Sequence, residues 1–129
     1  MNELLEYVWH DTVLLKIEID RSDPGENDTF RILVEWSDWE PRPECPYATI
    51  EFKDCHWLNM DMNFGVVCVE TFDQIELEPD HPEIQKIAKL FRVEDLTCVA
   101  FKTNSTGSTI RIIAESVTIM PHTTLNGVA

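Results

Sequence analysis

Apolar and polar residues alternate along most of the chain. Val13, Leu15, Ile17 and Ile19 fall on one face of an extended segment, with Lys16, Glu18 and Asp20 on the other. Phe30, Ile32, Val34 and Trp36 repeat the pattern against Thr29, Arg31 and Glu35. A period of two is the signature of a half-buried strand. Between the two runs stands "RSDPGEND". Pro fixes φ and Gly accepts positive φ, so Pro24-Gly25 sets a turn. Segments 12–20 and 29–36 are therefore expected to form an antiparallel hairpin with a long loop.

"SDWEPRPECP" follows, with Pro41, Pro43 and Pro46, and must be a loop. The strand signal returns at Ala48, Ile50 and Phe52, and again in "FGVVCVETF", with Ile75 and Leu77 beyond. The run Gly65–Val69 is apolar on both faces and predicts a central strand. Phe64, between Asn63 and Gly65, is expected to anchor a turn into the core, and the two flanking residues suit positive φ or a bulge.

"PDHPEIQKIAKLFRVEDL" reads as one helix near 82–91, with Asp80 as N-cap, Pro82 and Glu83 in the first turn, and Lys86, Lys89 and Arg92 toward the end. Ile84, Ile87, Ala88 and Phe91 make its apolar stripe, suited to packing on a sheet. Val99 and Phe101 open a last hairpin, turning through "TNSTGST" and returning from Ile110 to Ile119. Ile112-Ile113 interrupts the alternation and calls for a bulge or burial on both sides. The expected fold is mainly β: an antiparallel β-sandwich or strongly curled sheet of six to eight strands with one short α-helix. A single domain over 1–120 and a frayed tail over 121–129 complete the expectation.

Charge narrows the choice of partner. Ten Lys and Arg stand against 24 Asp and Glu, a net charge of −14 and a pI near 4.4. Such a chain repels nucleic acid and anionic membrane and suits a basic partner, although acidity also serves solubility alone. Of the 24 acids only Glu115 lies after residue 95, so the acidic surface must come from the first three quarters of the chain. The N-terminus begins acidic and lacks the basic-then-apolar order of a secretory leader, and no run is long enough to span a bilayer. Cys45, Cys55, Cys68 and Cys98 have no zinc-type spacing. Cys68 and Cys98 sit in apolar runs, as buried thiols do, and the expectation is a reduced, cytoplasmic protein, with a Cys45–Cys55 approach left open.

Little suggests an enzyme. No phosphate-binding loop, dinucleotide fingerprint or nucleophile elbow is present. His10-Asp11 and "DCHW" (Asp54 to Trp57) bring titratable residues together, but neighbours on a strand point to opposite faces. They converge only if the chain turns there. A small-molecule or catalytic pocket of His10, Asp11, Asp54 and His56 is the alternative reading. No metal or cofactor is expected.

The stronger candidate is "EWSDWEPRPE". Trp36 continues its strand's apolar face into the core, whereas Trp39 falls in the loop among Glu35, Asp38, Glu40 and Glu44. An exposed Trp ringed by acids suits a basic protein partner, whereas a Trp39 tucked onto the sheet edge would leave the acids merely solvated. Association between copies of the chain through sheet edges, as in a homodimer, is a third reading.

His10-Asp11 followed by Leu14, Ile17, Ile19, Asp20 and Arg21 resembles the opening strand of the small all-β immunity proteins of bacterial polymorphic toxin systems, the family catalogued as immunity protein fifty. Ile50, Phe52 and Leu58, then Met62-Asn63-Phe64-Gly65-Val66-Val67, resemble a later section, and Ala114-Glu115-Ser116-Val117-Thr118-Ile119 has a similar cadence. The likeness covers three segments, mostly at apolar positions. The Pro-rich loop with Trp39 and the helix lie outside it. It implies a cytosolic antitoxin that binds and blocks a cognate toxin without catalysis, and carries over no binding residue.

Overall fold

A computed structural model describes residues 1–65 and 67–126. Six antiparallel strands form one closed barrel: β1 (Val13–Asp20), β2 (Thr29–Glu35), β3 (Tyr47–Asp61), β4 (Glu70–Glu78), β5 (Thr97–Thr103) and β6 (Thr109–His122), in the ring order β1-β2-β3-β6-β5-β4. The curled-sheet expectation is met in its limiting form, and among the described residues no second sheet makes a sandwich. One helix, α1 (Pro82–Phe91), joins β4 to β5.

Alternation places Phe30, Ile32 and Val34 of β2, Ala48, Ile50 and Phe52 of β3, and Ile110 and Ile112 of β6 inside the barrel, all at most 1% exposed. The N-terminal segment closes this core. A 3-10 helix, Asn2–Glu6, buries Leu4 completely, and Trp9 meets Trp36, Phe72 and Phe101 at ring distances of 5.1–5.4 Å. Trp9 Nε1 donates to Leu4 O at 2.7 Å, which satisfies a donor that burial would otherwise strand.

Outside the barrel, α1 covers a smaller cluster of Ile87, Leu96, Cys98 and Ile113. Ile112 faces inward and Ile113 faces the helix, so the break in alternation marks burial on both faces. The N-cap is His81 rather than Asp80: its Nδ1 accepts from Glu83 N at 3.2 Å. Of the predicted stripe Ile87 is buried, while Phe91 is half exposed against the His56 ring.

Several expectations need correction. In β1 a bulge between Leu14 and Lys16 breaks the alternation. Leu14 and Ile17 join the core, and Leu15 and Ile19 are left 40% and 49% exposed. β3 is much longer than its signal, because a second bulge at His56 carries it on to Asp61. Beyond Ile119, Pro121 and His122 still pair, with Ala48 and Tyr47, rather than fraying. Residues 127–129 of the expected tail lie outside the described residues.

The central strand expected at Gly65–Val69 does not form. Val66 lies outside the described residues, and residues 62–65 and 67–69 are a connection. β3 and β4 stand three places apart in a ring of six, so their link must cross the barrel end. It passes the β5–β6 turn, where Asn63 N donates to Ser108 Oγ (2.9 Å) and Ser105 Oγ to Val69 O (3.1 Å). Neither Asn63 nor Gly65 takes positive φ. Phe64 is 88% exposed rather than an anchor, and Cys68 is exposed rather than buried.

Candidate functional site

The loop after β2 is built on a buried carboxylate. Glu40 Oε2 accepts from Val8 N at 2.6 Å, and Oε1 pairs with Arg42. The Arg42 guanidinium lies 4.1 Å over the Tyr7 ring, which stacks on Trp36 at 4.5 Å. Glu40 is thus a structural tie between the Pro-rich loop and the N-terminal segment. It is withdrawn from the candidate binding surface, because its carboxylate is both buried and fully used.

Fixing Glu40 turns its neighbour outward. Trp39 is 75% exposed and Asp38 is exposed beside it. Asp11, Glu35, Asp38, Trp36, Ser37 and Trp39 line a cleft of about 240 Å³, with no Lys or Arg among its walls. Ser37 Oγ is buried there without a hydrogen-bond partner among the described residues. Glu44 is exposed in the same Pro-rich loop but does not line the cleft.

Asp11 enters this cleft from an unexpected direction. Its φ of 66° puts it in the left-handed region that Asp tolerates, and its N–H donates to Phe72 O at 2.9 Å. His10-Asp11 is thus a turn, not a strand. Both side chains are exposed, and His10 stands 3.6 Å from a carboxylate oxygen of Asp11 and 3.6 Å from one of Asp73. No local signal in the sequence links Asp11 to Trp39.

The other two members of the alternative pocket lie elsewhere. His56 Nε2 meets Glu115 Oε2 at 2.9 Å across the β3–β6 ladder. With Ile19, Arg21, Asp28 and Cys55 it lines a cavity of about 230 Å³ that includes neither His10 nor Asp11. Asp54, at φ 53°, lines a different cavity with Arg31, Glu51 and Lys53. His56, Asp54 and Asp11 thus line three different cavities. The chemistry beside His56 is also wrong for a nucleophile, since burial pushes the Cys55 thiol up to about 12. Asp28 is held low by the Arg21 guanidinium, 2.7 Å away, and then by Gly25 N. All four cysteines are free, so Cys45 and Cys55 do not pair.

A third feature had no expectation attached. Leu14, Leu15, Ile17, Met60, Met62 and Phe64 line a groove of about 410 Å³ between β1, the end of β3 and the crossing connection. Val67 and Val69 are exposed nearby in that connection. Lys16, Asn63, Glu70 and Thr106 also line the groove, and a largely apolar groove with a polar rim is the kind of surface that associates with another protein. Among the described residues, no helix is long and apolar enough to cross a membrane.

Set against known proteins, no family model, no curated protein and no solved structure matches this chain.

Proposed function

We propose that this chain is a non-enzymatic acidic barrel that binds a basic protein, acting as an immunity-type inhibitor of a basic toxin in the cytoplasm. The observation that carries the reading is the Trp39 cleft. An indole 75% exposed stands beside Asp11, Glu35 and Asp38 with no basic side chain in the walls. An arginine or lysine of the partner fits this arrangement, stacking on the indole while the carboxylates accept its hydrogen bonds. The net charge of −14 steers a basic partner toward the surface. The likeness of the first, third and last strands to immunity proteins agrees with this reading, and the free thiols suit a reducing compartment.

The test is titration calorimetry with the product of an adjacent toxin-like reading frame, at low and high salt. An anchoring Trp contributes about 2 kcal/mol or more, so Trp39→Ala is expected to weaken binding on the order of 30-fold. Asp38→Asn should chiefly slow association and flatten its salt dependence. Binding that ignores both substitutions, or a basic partner that does not bind at low salt, overturns the proposal.

The apolar groove favours a second reading, association between two copies of the chain. Light scattering checks it: a clean monomer at high concentration rejects it, and a dimer dissolved by Phe64→Asp supports it.

A further inference from the structure

We propose that Glu78, His81 and Cys98 form a binding site for a zinc-type divalent metal ion on the outer wall of the barrel, where α1 begins. The three are separated by 3 and 17 positions, a spacing that no short motif would flag, and only the fold assembles them.

Register does the first part. Glu78, the last residue of β4, pairs directly with Cys98 of β5, so both side chains project from the same face. Cys98 Sγ lies 3.7 Å from Glu78 Oε1. The chain then folds back, with His81 N donating to Glu78 O at 3.4 Å, and returns the imidazole to the same spot. One sulfur, one nitrogen and one oxygen donor lie within 4.8 Å of one another. Zinc bonds of about 2.0–2.3 Å place tetrahedral ligands about 3.5 Å apart, so closing the site needs side-chain shifts of about 1 Å.

Neighbouring residues hold two of the donors in place. Arg111 Nε donates to Glu78 Oε1 at 3.0 Å, and the His81 ring lies 4.9 Å from that of Trp57. Supports of this kind orient metal ligands in built sites. The mixed sulfur, nitrogen and oxygen set suits zinc or cobalt and disfavours calcium and magnesium, which take oxygen ligands. Cys98 is fully buried while Glu78 and His81 are partly exposed, so an ion would enter from the solvent side and keep an open fourth position.

The competing interaction is the helix cap. His81 Nδ1 accepts from Glu83 N at 3.2 Å, and a neutral imidazole has one unprotonated nitrogen to give. Metal ligation therefore draws on the lone pair that caps α1. That exchange favours the ion, because the cap is a long, neutral hydrogen bond.

The experiment is a cobalt(II) titration of the whole reduced protein, read by the near-ultraviolet thiolate-to-cobalt charge-transfer band. We expect the band to saturate at one equivalent, to vanish in Cys98→Ser, and to need at least tenfold more cobalt in His81→Asn. Asn retains a good N-cap acceptor, so that variant separates ligand loss from helix loss. Zinc should displace cobalt and raise the unfolding temperature of the parent protein but not of His81→Asn. No thiolate band in the parent overturns the site. So does a band surviving in folded Cys98→Ser, since Cys45, Cys55 or Cys68 would then hold the ion. Should Cys98→Ser not fold, His81→Asn decides alone, and an unchanged cobalt affinity rejects the proposal.

Discussion

Glu40 shows how one residue's role depends on what its two oxygens meet. In sequence it is one acid among several around Trp39. In the fold it satisfies Val8 N and Arg42 from a side chain only 1% exposed. Removing it leaves the part-buried Val8 N–H without its acceptor and Arg42 without its partner, which costs about 1–3 kcal/mol. Urea unfolding of Glu40→Ala should show that loss, whereas exposed Asp38→Ala should stay within about 0.5 kcal/mol. Equal midpoints for the two would show that Glu40 is not a tie. Cysteine reactivity follows the same logic of environment. Burial pushes both Cys55 and Cys98 up to about 12, and Cys68 is exposed. Reactive thiols are exposed thiolates. Iodoacetamide at mildly alkaline pH should therefore label Cys68 well before Cys55 or Cys98, as read by mass spectrometry of peptides. Early labelling of Cys55 would contradict the inert environment assigned to it beside His56.

At the scale of elements, β6 is the most informative strand. Ile112 and Ile113 are consecutive and both 0% exposed, one inside the barrel and one under α1. An ordinary half-buried strand would tolerate one of the two truncations. Here Ile112→Ala and Ile113→Ala should each cost about 2–5 kcal/mol by denaturant unfolding. A near-neutral Ile113→Ala would mean that α1 does not cover the sheet. The N-terminal segment makes the opposite point. Nothing in "NELLEYVW" announces a strand or a long helix, yet Leu4 and Trp9 complete the core. Trp9 lies among three aromatic rings and is 4% exposed, so Trp9→Ala should lose about 3–5 kcal/mol. The crossing connection fails as a strand for a topological reason. The ring is complete with six strands, and its apolar residues find no second layer to bury them.

For the whole molecule the excess of acids sets the response to pH and salt. Arg31 bridges two carboxylates across three strands, Glu51 at 2.6 Å and Glu18 at 2.7 Å. For Glu51, burial opposes ionisation, but Arg31 and Lys53 together hold the carboxyl below its ordinary value. Asp28 is likewise held low, by Arg21 and Gly25 N. A carboxyl whose folded value is depressed stabilises the fold above its unfolded value, about 4, and that contribution is lost as pH falls through and below it. Stability should therefore decline below about pH 4.5, and Glu51→Gln should show a shallower decline. Urea midpoints at several pH values, compared between the two proteins, measure this. Identical pH profiles would remove Glu51 from the account. Salt acts oppositely on the same charges. It screens repulsion among the acids, so it should stabilise the free barrel while weakening capture of a basic partner.

Local pattern alone determined most strand positions, the turn at Pro24-Gly25 and the α-helix near 82–91, whereas the exposure of Trp39 was left open. The first three are legible because period-two alternation, proline and helix-end chemistry act over a few residues. The double isoleucine of β6 also called for a bulge or burial on both faces, and the structure decided for the second. Tertiary structure alone decided that the sheet closes into a barrel, that Glu40 is buried and that Asp11 joins the Trp39 cleft. It also decided that His10, Asp54 and His56 part company and that Glu78, His81 and Cys98 meet. Each depends on which strands become neighbours and on where bulges or left-handed residues redirect a side chain. Those outcomes follow from contacts between distant segments, and the spacing of residues along the chain does not encode them.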